Sequence, residues 1–265
     1  MQPGHAGIVG AGFGGSLPRL PLRQRGWTVR VYERRNSLLG EGYRIAIHNN
    51  MARIFATFGI LDRVLAGGMR FDRRDSLDAH GNVVMTCKTA CSPYRIDRQH
   101  IVAPLAERAG SGRRHQLQCG GQIRNAQRFD HARGWTEASA DLVVAADGIN
   151  SAIREALGLT RRRIFGRDCG VRINIPRRPE EIAADDDGGT VMVEAWADRR
   201  RVIYCPVTDE FYVLPTCTKR DTTAATSPID PDVWARSFPA MRELFVRIRD
   251  EADWPLVALG ALRDR

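Results

Sequence analysis

The chain has 265 residues, 43% of them hydrophobic and 27% charged. That balance supports a sizeable core without disulfide or metal staples and excludes wholesale disorder. The net charge is +9, but its arginines are spread along the chain rather than gathered in one tail. The excess therefore reads as a compositional habit, with an anionic cofactor as a secondary cause, and no nucleic-acid partner is expected.

No apolar run reaches the ~18–20 residues of a membrane span. No basic region followed by an apolar signal core opens the chain, so a cytoplasmic protein without a membrane partner is expected. The six cysteines form no C-x-x-C pair and no zinc-ligand spacing. They read as free thiols, with no metal site.

In chain order, residues 6–9 (Ala-Gly-Ile-Val) read as a short buried strand that runs straight into glycines. Residues 28–32 (Thr-Val-Arg-Val-Tyr) alternate as a second strand. From 50 to 65 the pattern is helical. Ile54, Phe58, Leu61 and Leu65 give one apolar face, Asn49 or Asn50 a cap, and Gly67 a stop. Residues 70–87 predict two strands joined at Ala79-His80-Gly81-Asn82, and 98–109 a helix interrupted by Pro104. Residues 110–140 carry no clear pattern. Residues 141–146 (Asp-Leu-Val-Val-Ala-Ala) predict a buried strand, followed by Asp147-Gly148 and a helix over 151–157. Beyond 165, strand-like runs at 170–175, 190–196, 201–206 and 211–216 suggest a mostly antiparallel sheet. A closing helix over 234–248 follows Asp230-Pro231-Asp232. The first part reads as α/β and the second as α+β.

Gly10-Ala11-Gly12-Phe13-Gly14-Gly15 fits G-x-G-x-x-G between a predicted strand and a predicted helix. Gly10 permits the tight turn, Gly12 lets backbone approach a diphosphate, and Gly15 lets helix and strand pack closely. The helix N-terminus offers N–H groups and a partial positive charge to phosphates. Glu33, at the end of the second strand, is placed to accept both ribose hydroxyls of an adenosine. A glycine-rich turn in some other α/β protein is the alternative. One feature conflicts: Pro18 can fall in the first turn of the helix, but Pro21 falls beyond it and is expected to disrupt the element that would hold the diphosphate.

Five segments in this order resemble the FAD-dependent aromatic-ring monooxygenases, the p-hydroxybenzoate-hydroxylase-like flavoproteins. They are Gly10 to Gly15, Val31-Tyr32-Glu33-Arg34, Gly42-Tyr43-Arg44-Ile45, Ile96-Asp97-Arg98-Gln99-His100, and Asp141 to Arg154. The resemblance implies a Rossmann-like FAD-binding domain over 1–165, with 70–90 contributing to an inserted, mostly antiparallel substrate-domain sheet, and a substrate domain over 166–265. It places Glu33 on the FAD ribose, Arg44 and Arg98 near the flavin or its diphosphate, and Asp147 with Gly148 near the diphosphates. It implies that NADPH or NADH reduces FAD and that one oxygen atom passes to an aromatic or polyketide-like small molecule. It names no catalytic acid or base.

The chain departs from that pattern at its end. A strand ending in Gly-Asp, with a histidine- and proline-containing stretch after it, is absent, and the sequence closes at Gly260 to Arg265. A truncated or degenerate member, or one part of a split enzyme with a separate chain carrying that motif, is the resulting expectation. The alternative function is an inactive fragment that at most binds FAD or another adenine dinucleotide. A plain NAD-binding dehydrogenase would share the glycine turn but leave the Arg98 and Asp147 segments unexplained. Asp185-Asp186-Asp187 reads as a solvated turn, and no G-x-S-x-G elbow anchors hydrolase chemistry.

Overall fold

The computed structural model describes residues 2–33, 45–88, 94–108, 114–116, 122–125, 128–130, 138–164, 166–178, 191–207, 210–252 and 258–259. They divide into two compact units. The first comprises 1–45, 50–67 and 96–163, and the second 46–49, 68–95 and 164–265. Arg44 and the Asp185–Asp187 run lie outside the described residues.

The first unit is built on a parallel sheet. Strand β1 (His5–Val9) feeds helix α1 (Phe13–Gln24), which returns to β2 (Thr28–Glu33) beside β1. Helices α2 (Asn49–Thr57), α3 (Leu61–Leu65) and α4 (Arg98–Arg108) follow, then β3 (Leu142–Ala145) and α5 (Ala152–Ala156). The sheet order is β3, β1, β2 and the strand Arg114–Gln116. Ala6 and Ile8 are fully buried, and they pack with Ala11, Val29 and Val31 as the core of this layer. Two bonds pin the register at its start: His5 N–H donates to Asp141 Oδ2 (2.7 Å), and Asp141 N–H donates to His5 O (2.8 Å).

Three sequence expectations need correction here. Helix α1 begins at Phe13 and runs unbroken to Gln24 through both Pro18 and Pro21. Pro18 is therefore past the first turn, and Pro21 does not end the helix. Packing holds it, because Gly15, Arg19 and Leu20 are buried and Leu22 packs against the sheet core. The single helix over 50–65 is two helices, parted at Gly59 (φ +66°). The buried residues are Phe55, Ile60 and Val64, while Ile54 is 41% exposed, so the buried face is not the one that the spacing of Ile54, Phe58, Leu61 and Leu65 predicts. The strand at 142–145 is present but less buried than its sequence suggests. Leu142 to Val144 are half-buried and Ala145 is exposed, because β3 is the edge of the sheet among the described residues.

The second unit centres on an antiparallel sheet. Strands β4 (Asp168–Val171) and β5 (Ile173–Pro176) both pair with one side of β8 (Glu210–Thr218). On its other side β8 pairs with β7 (Arg200–Val207), which pairs with β6 (Val191–Ala197). The hairpin Arg73–Leu77/Val83–Lys88 extends it beyond β6, its first strand parallel to β6, and at the other edge Ala258–Leu259 pairs with β4. At the hairpin turn Asp78 Oδ1 accepts from the N–H groups of His80 and Asn82, and Gly81 takes φ +87°.

One sheet face is covered by α6 (Pro231–Ser237) and α7 (Arg242–Glu251), whose Trp234, Phe238 and Phe245 rings pack 6.2–6.5 Å apart over Ile173, Val202 and Val213. The expected closing helix over 234–248 is thus split at Pro239, since the residue before a proline leaves the helical region. Asp230 caps α6 by accepting from Asp232 and Val233 N–H.

Arg200, one of an arginine triplet, is spent inside this unit. It clamps Asp221 through Nε (2.7 Å) and Nη2 (3.1 Å), and Nη1 donates to Val233 O and Ser237 Oγ. The Arg200 bond holds the Asp221 carboxyl below its ordinary value. A depressed folded-state pKa gives stability that is full above the unfolded value and is lost as pH falls through the folded one. Asp221→Asn should therefore flatten the loss of stability below about pH 4, measured by urea unfolding across that range. An unchanged acid limb would remove the pair from the account. Cys169 and Cys217 face each other across β4 and β8 with sulfurs 3.8 Å apart, both free. Burial pushes Cys217 up to about 12, which leaves it a thiol.

Candidate functional site: the carboxyl ends of β1 and β3

The first unit reverses strand order at β1, with β2 on one side and β3 on the other. Ligands in such sheets bind beyond the carboxyl ends of the strands at that switch. Here two turns leave those ends side by side, with Ala146 N–H donating to Val9 O (2.8 Å) and Gly10 N–H to Tyr32 O (2.8 Å).

The three glycines have separable duties. Gly10 sits at φ +95°, and a Cβ there would lie 2.2 Å from Ala146 O. A Cβ on Gly15 would lie 1.8 Å from Gly10 O. Both are required by the backbone itself. Gly12 has φ −70°, ordinary for any residue, and a Cβ on it would meet nothing within 4 Å. Its lack of a side chain leaves open space beside the first turn of α1. Gly15 and Ser16 N–H close that turn onto Gly12 O. The turn has no acidic residue and no side-chain cap, so it keeps its partial positive charge for an anion.

Glu33 reaches from the end of β2 to this turn, its Oε2 accepting Ala11 N–H at 2.7 Å. It shares a cleft with Ala11, Gly15, Ser16 and Arg19. Arg98, the first residue of α4, lies over the Phe13 ring at 5.4 Å, and its Nε is buried without a hydrogen-bond partner among the described residues. Asp147 follows Ala146. Its Oδ2 accepts Ile153 N–H at the start of α5, and its Oδ1 is buried without a partner among the described residues. Gly148 then turns at φ +95°.

Gly10, Gly12, Gly15 and Glu33 are thus brought into one constellation. Arg98 lies against it through Phe13, and Asp147 joins through the neighbouring turn. Arg19 was not singled out from the sequence, although it is buried and lines the same cleft. Its spacing of four from Gly15, on the packed face of the helix, is the signal that would have found it. The donor set suits an adenine dinucleotide. It offers an open glycine at a helix N-terminus, a carboxylate at the next strand end, and two buried polar atoms without partners among the described residues.

The described fold and this site suit a dinucleotide-binding protein, and comparison with known proteins gives its family. The FAD binding domain family matches residues 5–237, and the chain belongs to that family of FAD-dependent monooxygenases. The chain is 31% identical, over 95% of its length and 67% of the relative's, to a putative 2-heptyl-3-hydroxy-4(1H)-quinolone synthase of Rhodococcus erythropolis. It is 27% identical to a kynurenine 3-monooxygenase of Anopheles gambiae over 59% of its length and 36% of that enzyme's. Among solved structures, 2-methyl-3-hydroxypyridine-5-carboxylic acid oxygenase superposes with a TM-score of 0.80, at 24% identity, over 97% of this chain and 71% of that one. The chain spans about two thirds of the quinolone synthases' own length. No helix among the described residues is long and apolar enough to cross a membrane.

Proposed function

We propose that this chain is the FAD-binding and substrate-binding body of an NAD(P)H-using hydroxylase acting on an aromatic small molecule, with a quinolone-like heterocycle as the first candidate. The carrying observation is the meeting of the glycine turn, Glu33 and Asp147 at the switch between β1 and β3. The similarity to quinolone synthases through 95% of the chain supports the substrate class. That same extent does not favour the inactive-fragment alternative.

In this reading Glu33 accepts the adenosine ribose hydroxyls, and the N-terminus of α1, unobstructed at Gly12, takes the diphosphate. Arg98 adds a positive charge with a donor to spare, and Asp147 orders the second turn through Ile153 N–H. FAD, when bound, supplies the electron transfer to dioxygen that no protein side chain can perform. The chain's own part is to bind, orient and exclude water.

Glu33→Ala should weaken FAD and ADP binding by about 1.5–3 kcal/mol, the range for a hydrogen bond to a charged group. Calorimetry giving equal affinity for wild type and variant would remove Glu33 from the site. Competitive titration should rank FAD above NAD, and the reverse order would favour a dehydrogenase. Substrate-stimulated NADPH consumption tests the activity itself.

A further inference from the structure

A cleft of about 1070 Å³ opens in the second unit where β6 and β8 end and β7 begins. It shares no residue with the glycine-turn cleft. Arginines from three separate elements converge on it: Arg199 from the β6–β7 turn, Arg220 from the segment after β8, and Arg236 from α6. Among the described residues none of these three guanidinium groups has an ion pair or a hydrogen bond. Asp221 is also in the wall but is already engaged. Its Oδ2 accepts from Arg200 Nε, and its Oδ1 from Arg200 Nη2, Thr223 Oγ1 and Ala224 N–H. Asp198 is the one carboxylate of the wall without a partner among the described residues, and it faces three such cations.

The wall is held in place. Strands β6 and β7 pair out to Ala197 and Arg200, and a two-residue turn joins them, with Asp198 at φ +50°. Trp196, in the same wall, is 50% exposed, and Arg201 lies over one face of its ring at 5.3 Å. Arg201 is itself fixed, donating to Glu194 Oε1 (3.1 Å) and Thr216 Oγ1 (3.2 Å). A half-exposed indole backed by a fixed guanidinium is a stacking platform for a planar ring. Unpaired arginines spaced around a concave wall suit an anion with more than one phosphate, since each offers several N–H donors. The volume is at the upper end for a small-ligand pocket, whereas a macromolecular contact is flatter.

We propose that this cleft binds a nucleoside polyphosphate, with the phosphates on Arg199, Arg220 and Arg236 and the base on Trp196. Titration calorimetry of the full chain compares GTP with inorganic triphosphate and guanosine. GTP should bind at least about 5-fold more tightly than triphosphate, the low end for one stacked base, and more tightly than guanosine. Arg220→Gln combined with Arg236→Gln should weaken GTP and triphosphate alike by about 10-fold, within the range for two exposed ion pairs. Trp196→Ala should bring GTP down to the level of triphosphate. Arg161→Gln combined with Arg162→Gln removes the same charge from exposed sites elsewhere and should leave GTP affinity unchanged. GTP affinity should also survive Gly12→Ala, which separates the cleft from the glycine turn. Thermal melts of each variant show that a lost affinity is not lost folding.

Equal affinity for GTP and triphosphate, or loss of GTP binding in Gly12→Ala, would overturn the proposal. So would an effect of the Arg161 and Arg162 pair as large as that of Arg220 and Arg236, since net charge alone would then explain the attraction. Hexaglutamate binding as tightly as GTP would overturn it as well, and would assign the cleft to an acidic protein segment.

Discussion

Gly15→Ala should destabilise the first unit by about 3 kcal/mol, at the upper end for overpacking a tight site, while Gly12→Ala should change stability by less than about 0.5 kcal/mol. The difference follows from what each added methyl would meet. At Gly15 it would sit 1.8 Å from Gly10 O, and backbone on both sides would have to move. At Gly12 it would meet open space. Cofactor binding should separate from stability at the second position. A methyl on Gly12 occupies the space through which a diphosphate reaches the turn, so FAD affinity should fall by at least about 10-fold in a fully folded protein. Urea unfolding paired with FAD titration reads both. Intact FAD affinity in Gly12→Ala would place the diphosphate elsewhere, and unchanged stability in Gly15→Ala would contradict the helix–strand contact.

Pro21→Ala should stabilise the protein, by as much as about 3 kcal/mol, the usual cost of a proline in a helix interior. Pro21 is the ninth residue of α1 and cannot donate to the carbonyl of Leu17, just as Pro18 cannot donate to Gly14. The chain accepts both losses because Leu20 is buried, Leu22 packs against the sheet core and Arg25 Nη1 donates to Pro21 O. Alanine restores the donor and removes the ring without touching the cleft. Chemical denaturation should show a higher midpoint at unchanged slope. A lower midpoint would mean that the proline rings pack in ways that outweigh the missing bond.

Much of the cofactor half was legible because its signals are local. Gly10, Gly12 and Gly15 lie within six residues, Glu33 ends the next strand, and Asp147 follows a run of branched apolar residues. Most strands of the second unit were readable from alternation and turns, although the run at 170–175 is two strands, Asp168–Val171 and Ile173–Pro176, parted at Arg172. What failed were decisions between neighbouring breakers. Gly59 and Gly67 are both able to end the helix, and only a helix running to Gly67 turns Ile54 inward, while Pro239 falls inside an otherwise continuous apolar pattern. Local propensity also overstated Pro21, since the packing that rescues α1 comes from strands on either side in sequence. Arg200 and Arg19 could not be told from the other arginines. The partners that set Arg200 apart, Asp221 and Ser237, are 21 and 37 residues away.

In the proposed reading the chain holds FAD through the glycine turn and Glu33 and serves aromatic hydroxylation. Its most direct test supplies the purified chain with FAD, NADPH and 2-heptyl-4(1H)-quinolone under isotopically heavy dioxygen, with mass spectrometry of the product. The account predicts a hydroxylated quinolone carrying one heavy oxygen atom, formed only with both FAD and NADPH and lost in Gly12→Ala. Failure to retain FAD, or NADPH consumption that yields hydrogen peroxide and no labelled product with any aromatic tried, would contradict it.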